Sequence, residues 1–248
     1  MEIRLVCADR RIPVVVTMRT PGADFELATG FLFSEGVIRS PEQLRAVTYC
    51  VDPAVGQEQR YNIVNVEVRG ASVNDITPLE RHFSMTSACG VCGKATLEGL
   101  QRRGLARPAA GPMLAPEVLR CLPAKLRDAQ RLFEATGGLH AAGLFTASGE
   151  LLALREDVGR HNAMDKVVGW ALMHGRLPLH GQILVVSGRA SFELVQKALA
   201  AGAGALCAVS APSSLAVDLA GEFGMTLIGF LRPGRFKIYT GAERVALP

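Results

Sequence analysis

The sequence predicts an α/β protein, a small α+β unit followed by a larger domain in which strands alternate with helices. Three observations lead there. Short β-branched runs and one helical repeat fill residues 1–68. Over 69–116 the periodicity fades and Gly, Pro, Ser and Thr become frequent. Over 117–248 apolar runs of strand length alternate with stretches of helical spacing, the pattern of a mostly parallel sheet covered on both faces. The chain has 248 residues, of which 49% are apolar and 20% charged. That length supports one large core or two modest ones, and the composition excludes an intrinsically disordered chain.

In the first unit, Ile3–Val6 and Ile12–Met18 flank a polar turn at Asp9-Arg10-Arg11 and predict a hairpin. After the break at Pro21-Gly22, Asp24 stands where an N-cap belongs, ahead of Phe25, Leu27, Ala28, Phe31 and Leu32 at helical spacing. Gly36 ends that helix, Ser40-Pro41 opens a short second one, and Ala46–Val51 and Tyr61–Val68 read as strands. In the connecting region a short helix is expected over Ala95–Arg103. In the larger unit an amphipathic helix over Pro123–Ala135 is stopped by Gly137-Gly138, and His140–Thr146 with Glu150–Arg155 forms a hairpin turning at Ser148-Gly149. Helices follow over Asn162–His174, Phe192–Ala201 and Leu215–Phe223. They are interleaved with strands at Ile183–Val186, Leu206–Val209, Thr226–Leu231 and Phe236–Thr240.

The net charge of +4 is too small to argue for nucleic acid or an anionic membrane. Ala198–Val217 carries no charge, but its Ala, Gly, Ser and Pro content fits a helix end, a buried strand and a turn better than a bilayer span. Met1-Glu2-Ile3-Arg4 lacks the layout of a secretory signal, and six cysteines are too sparse for a disulfide-framed module. A cytoplasmic protein with reduced thiols is expected.

The strongest local feature is Cys89-Gly90-Val91-Cys92. A thiolate is favoured near a helix start and a cation; a helix is expected just after Cys92, and Lys94 is close. Four readings compete. A zinc half-site needs a second pair of ligands, while Cys50, Cys121 and Cys207 are isolated and the five histidines scattered. A thioredoxin-like exchanger expects a strand before the motif, which is missing. The pair could also be inert in a Gly-rich turn, or one thiolate could carry a sulfane sulfur as a persulfide.

The remaining motifs fall on turns. Alone, Gly137-Gly138 reads as a helix cap and His140 as a core histidine. Arg155, Arg160, His161 and Lys166 crowd a helix start, a natural place for phosphate, where Asn162 and Asp165 resemble a capping box. Ser187-Gly188-Arg189 and Ser210-Ala211-Pro212 occupy later strand-to-helix turns, each explicable as capping. These turns should open on one sheet edge, where Arg232, Arg235 and Phe230 join them, so together they describe a pocket for a large anionic ligand bearing a ring. None is a Gly-rich phosphate loop. The strand and helix order also suits a hydrolytic deaminase, but the helix starts lack that chemistry's His, Glu and paired Cys.

These residues resemble the FdhD family of formate dehydrogenase accessory sulfurtransferases. The resemblance rests on Leu27-Ala28-Thr29-Gly30-Phe31-Leu32 through Ser34-Glu35-Gly36, Cys89–Lys94, Thr136–Ala142, Asp157–Ala163, Ser187-Gly188-Arg189 and Phe230–Tyr239, in the family's order. It implies a small N-terminal α+β domain (1–68), a connecting region holding the Cys-x-x-Cys loop (69–116) and a cytidine-deaminase-like three-layer α/β/α domain (117–248). It also implies a cytoplasmic homodimer with sulfurtransferase activity. Sulfur would pass from a cysteine desulfurase to the molybdenum cofactor, a bis-molybdopterin guanine dinucleotide, before insertion into formate dehydrogenase. The persulfide-bearing cysteine falls on Cys89, with Cys92 assisting, and the cofactor-binding segment on Phe230, Leu231, Arg232, Pro233, Gly234 and Arg235. With Gly138, His140, Arg160, His161, Asn162, Ser187 and Arg189 from the turns, that segment makes the expected cofactor site. No metal ligands, nucleic acid or membrane are expected.

Overall fold

The structure, a computed structural model, describes residues 1–7, 10–70, 105–108 and 113–246. The Asp9 turn residue, the helix expected over 95–103 and the pair Cys89 and Cys92 lie outside the described residues.

The N-terminal sheet has strands β1 (Glu2–Cys7), β2 (Arg10–Val16), β3 (Leu44–Tyr49) and β4 (Ile63–Val68) in the order β2-β1-β4-β3. The β1–β2 pair is the expected antiparallel hairpin, whereas β1 and β4 run parallel. Ile3, Leu5, Val64 and Val66 alternate onto one face and are buried there by Ala28 and Leu32 of helix α1 (Asp24–Ser34). Helix α1 ends as expected: Gly36 takes a φ of 79°, and Val37 N–H reaches back to Leu32 C=O (2.9 Å). Its start differs. Ala23, in the left-handed region, is the N-cap, while the buried Asp24 carboxylate takes both arms of Arg19 (3.0 and 2.9 Å). The stronger charge-assisted pair outcompetes a local cap. A short helix α2 (Gln57–Arg60) precedes β4.

The larger sheet comprises β5 (His140–Thr146), β6 (Leu151–Asp157), β7 (Gln182–Val186), β8 (Ala205–Ala208), β9 (Thr226–Arg232) and β10 (Arg235–Thr240), in the order β10-β9-β8-β7-β5-β6. It is mixed rather than mostly parallel. The crossovers keep β7, β8 and β9 parallel, but the β5–β6 hairpin joins antiparallel to β7, and β10 folds back on β9. One face is covered by α5 (Arg160–Met173), α6 (Phe192–Ala200) and α7 (Ser214–Glu222), through residues such as Val167, Leu194 and Leu219. The other face is covered by α3 (Pro116–Asp128), through Leu119, Leu122 and Leu126. The helix expected over Pro123–Ala135 is two helices. Helix α3 starts with a proline in its first turn and ends before Ala129, and α4 (Arg131–Thr136) follows after Gln130. A tertiary contact imposes the break: the buried Glu156 carboxylate accepts from Leu132 N–H (2.9 Å) and Phe133 N–H (2.7 Å), capping α4.

The two sheets are joined through α1 and α5. A Cβ on Gly30 would sit 1.9 Å from Asp165 C=O oxygen, and one on Gly169 would sit 1.9 Å from Glu26 C=O oxygen. Only two glycines let the helix backbones come this close. Beside the crossing, buried Asp165 accepts from Lys197 of α6 (2.8 and 2.9 Å) and from Ser34 Oγ (2.9 Å). Along the first half of α5, Lys166 Nζ meets Asp157 (2.7 Å) and Thr20 C=O (2.9 Å), and Asn162 Nδ2 donates to Met18 C=O (2.7 Å) and Asp157 (3.0 Å). Asn162 and Asp165 therefore serve partners far along the chain rather than a capping box; the N-cap is Gly159.

Alanine in a helix interior ordinarily gains about 1 kcal/mol over glycine. Here the backbone clash decides the sign. Gly169→Ala or Gly30→Ala should lower stability by about 3 kcal/mol or more, read as a reduced urea midpoint. Glycine to alanine at exposed Gly181, whose Cβ would meet nothing within 4 Å, should leave the midpoint nearly unchanged.

Candidate functional site

Because β6 and β7 both run antiparallel to β5, the ends of β6, β7, β8 and β9 emerge on the same edge as the start of β5. Backbone bonds tie their turns together: Ala190 N–H to Ala211 C=O (3.2 Å), Ser213 N–H to Ala190 C=O (3.0 Å) and Phe230 N–H to Ser210 C=O (3.1 Å). Ser187 clasps the first strand, giving its N–H to Ala141 C=O (2.9 Å) and accepting Ala141 N–H on Oγ (2.8 Å). Gly188 is held close to His140, since a Cβ there would lie 3.3 Å from Nδ1 of that ring.

A cleft of about 610 Å³ opens on this edge. Gly138, His140, Ser187, Leu231, Arg232 and Pro233 line one side, and Leu126, Arg127, Gln130 and Phe133 of the α3–α4 corner line the other. A second hollow of about 320 Å³ lies between Phe230, Arg232, Arg235, Phe236 and Lys237, so Arg232 borders both. Phe230 is held at a φ of 50° and is 44% exposed. That backbone state costs a non-glycine residue roughly 1–3 kcal/mol. Next to it, Gly229 lets β9 pass Pro212 and Tyr239, which a Cβ would strike at 2.8 and 2.9 Å. The Pro233-Gly234 turn then carries the chain into β10.

Arg160, His161 and Arg189 flank the cleft rather than line it. Arg160 opens α5, whose first turn has no acidic residue, and its Nε is buried without an acceptor among the described residues. A guanidinium at the positive end of a helix is opposed by the dipole and is favoured there by an anion. Burial, with Arg160 and Arg189, holds His140 below the ordinary imidazole range. Burial first, then the Arg160 charge, drives His161 down to about 4, against the opposing pull of Glu193. His161 Nε2 also meets Ser191 Oγ (3.1 Å). The edge is thus polar, cation-rich and built around neutral imidazoles at neutral pH.

Of the residues expected at the site, Asn162 alone is committed elsewhere, to the segment that joins the two sheets. Arg127, Gln130 and Phe133 were not anticipated. They enter the cleft through the α3–α4 break, which no glycine or proline announces; its cause, Glu156, lies on a distant strand.

The architecture is that of an α/β protein whose cleft opens at the carboxyl ends of its strands, the place where such sheets hold ligands. Residues 2–246 match the FdhD/NarQ family, and the chain belongs to that family. It is 54% identical over 250 residues to the sulfur carrier protein FdhD of Streptomyces avermitilis, covering 100% of this chain and 87% of that one. It is 52% identical over 233 residues to the protein of the same name from Mycolicibacterium paratuberculosis, covering 94% and 86%. A crystal structure of a provisionally assigned formate dehydrogenase accessory protein from Desulfotalea psychrophila superposes with a TM-score of 0.72 at 26% identity, covering 98% of this chain and 87% of that one. No described helix is long and apolar enough to cross a membrane.

The folded-state value of His161 lies below that of the unfolded chain, so the unfolded chain takes up the extra proton. Stability should therefore fall as pH drops from about 6.5 towards about 4, and the histidine's contribution is intact above that window. Urea midpoints measured across the window should slope less steeply for His161→Gln than for the wild type.

Proposed function

We propose that this protein is a sulfurtransferase: a sulfur carrier that takes a sulfane sulfur from a cysteine desulfurase and delivers it to a molybdenum cofactor bound for formate dehydrogenase. The observation that carries this reading is the pair Cys89-Gly90-Val91-Cys92, in a chain about half identical along its whole length to proteins named sulfur carriers. The name of the Desulfotalea neighbour supports the link to formate dehydrogenase. In this reading the larger unit is a cytidine-deaminase-like scaffold without the deaminase zinc ligands, and the protein acts as a cytoplasmic homodimer.

The chemistry is two displacements. The Cys89 thiolate attacks the terminal sulfur of the donor's persulfide; a new S–S bond forms on Cys89, and the desulfurase cysteine leaves as a thiolate. Cys92 then attacks the Cys89 sulfur and releases hydrosulfide for the molybdenum. The two electrons come from the two thiols, which end as a Cys89–Cys92 disulfide that a dithiol reductant resets. Cys207 does not suit this chemistry: burial pushes its thiol up to about 12, so it stays protonated at neutral pH.

The cargo, a bis-molybdopterin guanine dinucleotide, offers phosphates and planar rings. Arg232 and Arg235 with Phe230, and the Arg160, His140 and Arg189 cluster, provide cations and an exposed aromatic on one edge. These features support the cargo assignment, and the cleft of about 610 Å³ has the size for one nucleotide portion of that cargo.

Incubation with a cysteine desulfurase and cysteine should add one sulfur, localised to Cys89 by peptide mass spectrometry. Cys89→Ala should abolish both that addition and the activation of a formate dehydrogenase, with an unchanged circular dichroism spectrum. Loading that never appears, with cofactor binding intact, would instead favour a cofactor chaperone that handles no sulfur. Turnover of a general disulfide substrate would favour thiol-disulfide exchange.

A further inference from the structure

Gln130 lies in the link between α3 and α4 and lines the cleft, yet it is only 5% exposed. Its backbone is fixed on both sides, with N–H given to Arg127 C=O (3.1 Å) and C=O accepting from Glu134 N–H (3.1 Å). Its side-chain Nε2 is buried and meets no acceptor among the described residues. A buried donor left unmatched in the free protein is costly, and a ligand acceptor would satisfy it. The surroundings indicate what kind. Leu126 and Phe133 give the corner an apolar lining, and the Arg127 guanidinium lies 4.0 Å from the centroid of the Phe133 ring. The Phe133 ring and the Arg127 guanidinium suit a flat ring on this side of the cleft, whereas His140 and Arg232 on the other side are polar.

We infer that Gln130 is a specificity-determining residue, its Nε2–H donating to the ring carbonyl of a guanine base bound at the α3–α4 corner. The inference rests on the cargo reading above, which supplies the guanine nucleotide. Guanine presents its O6 acceptor where adenine presents an amino donor, so an Nε2–H meeting the base there favours guanine. The cation-rich end of the same cleft then receives the phosphates. The orphaned donor, the aromatic wall and the opposed cations make one bipartite site.

The test is calorimetric titration of the full chain with GDP and with ADP. Wild type should prefer GDP by about tenfold or more, the weight of one buried hydrogen bond. Gln130→Met, which keeps the volume and removes the donor, should weaken GDP binding about tenfold and leave ADP binding unchanged. Its thermal midpoint should be equal to or above that of wild type, because an unmatched buried amide has been replaced by an apolar group. Gln130→Glu, an acceptor in place of a donor, should weaken GDP binding further. Unchanged GDP affinity in Gln130→Met would overturn the assignment. Equal losses for GDP and ADP with a lowered midpoint would also overturn it, since they mark a purely structural side chain. A wild type that binds GDP and ADP equally removes the specificity role while leaving the cargo reading in place. A wild type that binds neither removes the cargo reading and this inference with it.

Discussion

The crossing of α1 over α5 fixes nearly everything else in the molecule. Two glycines, Gly30 and Gly169, bring the helix backbones into direct contact, and a single methyl at either position would meet a carbonyl oxygen at 1.9 Å. Close contact leaves little freedom to slide, so the crossing sets the register of α5. The ion pairs around it act on the first half of the same helix. Asp165 and Lys166 tie its middle to Lys197, Ser34, Asp157 and Thr20, and Asn162 ties its start to Asp157 and Met18. Such buried charges add little net stability when complete, but removing one partner typically costs about 3–5 kcal/mol. They therefore work as alignment devices.

That alignment reaches the site directly. The residues at the start of α5, Arg160 and His161, stand beside the cleft, and β6, which leads into α5, also carries Glu156, the cap of α4. One face of the β6–α5 junction thus positions the cationic end of the cleft, and the other positions the α3–α4 corner. Cations at a helix start and a buried Arg160 Nε without an acceptor among the described residues are each unfavourable in the free protein. An anionic ligand with a ring relieves them together, which is the physical basis for reading the edge as a binding site.

Much of this architecture was legible in the sequence because it depends on local rules. Alternation and turn residues located the strands, Gly36 and Gly137 ended their helices, and the strand-to-helix turns gathered on one edge as the topology required. What escaped was decided by distant partners. Asp24 looked like a cap but pairs with Arg19; Asn162 and Asp165 looked like a capping box but serve the joint between the sheets. The α3–α4 break, which brings Gln130 and Phe133 into the cleft, is imposed by Glu156 across the fold. The sheet is mixed because β5 pairs antiparallel with β7, which an alternation of elements cannot specify. The role proposed for Cys89, which lies outside the described residues, rests on resemblance.

The central claim is that sulfur travels through this chain to a bound cofactor. Single-turnover transfer tests it most directly: protein loaded with radiolabelled sulfur, freed of desulfurase, and mixed with desulfurated bis-molybdopterin guanine dinucleotide without any added thiol, which would itself strip the persulfide. The account predicts that the label leaves the protein and appears on the cofactor, in a ratio of about one sulfur per molybdenum. Label that stays on the protein, or is released as free sulfide with or without the cofactor, would contradict it.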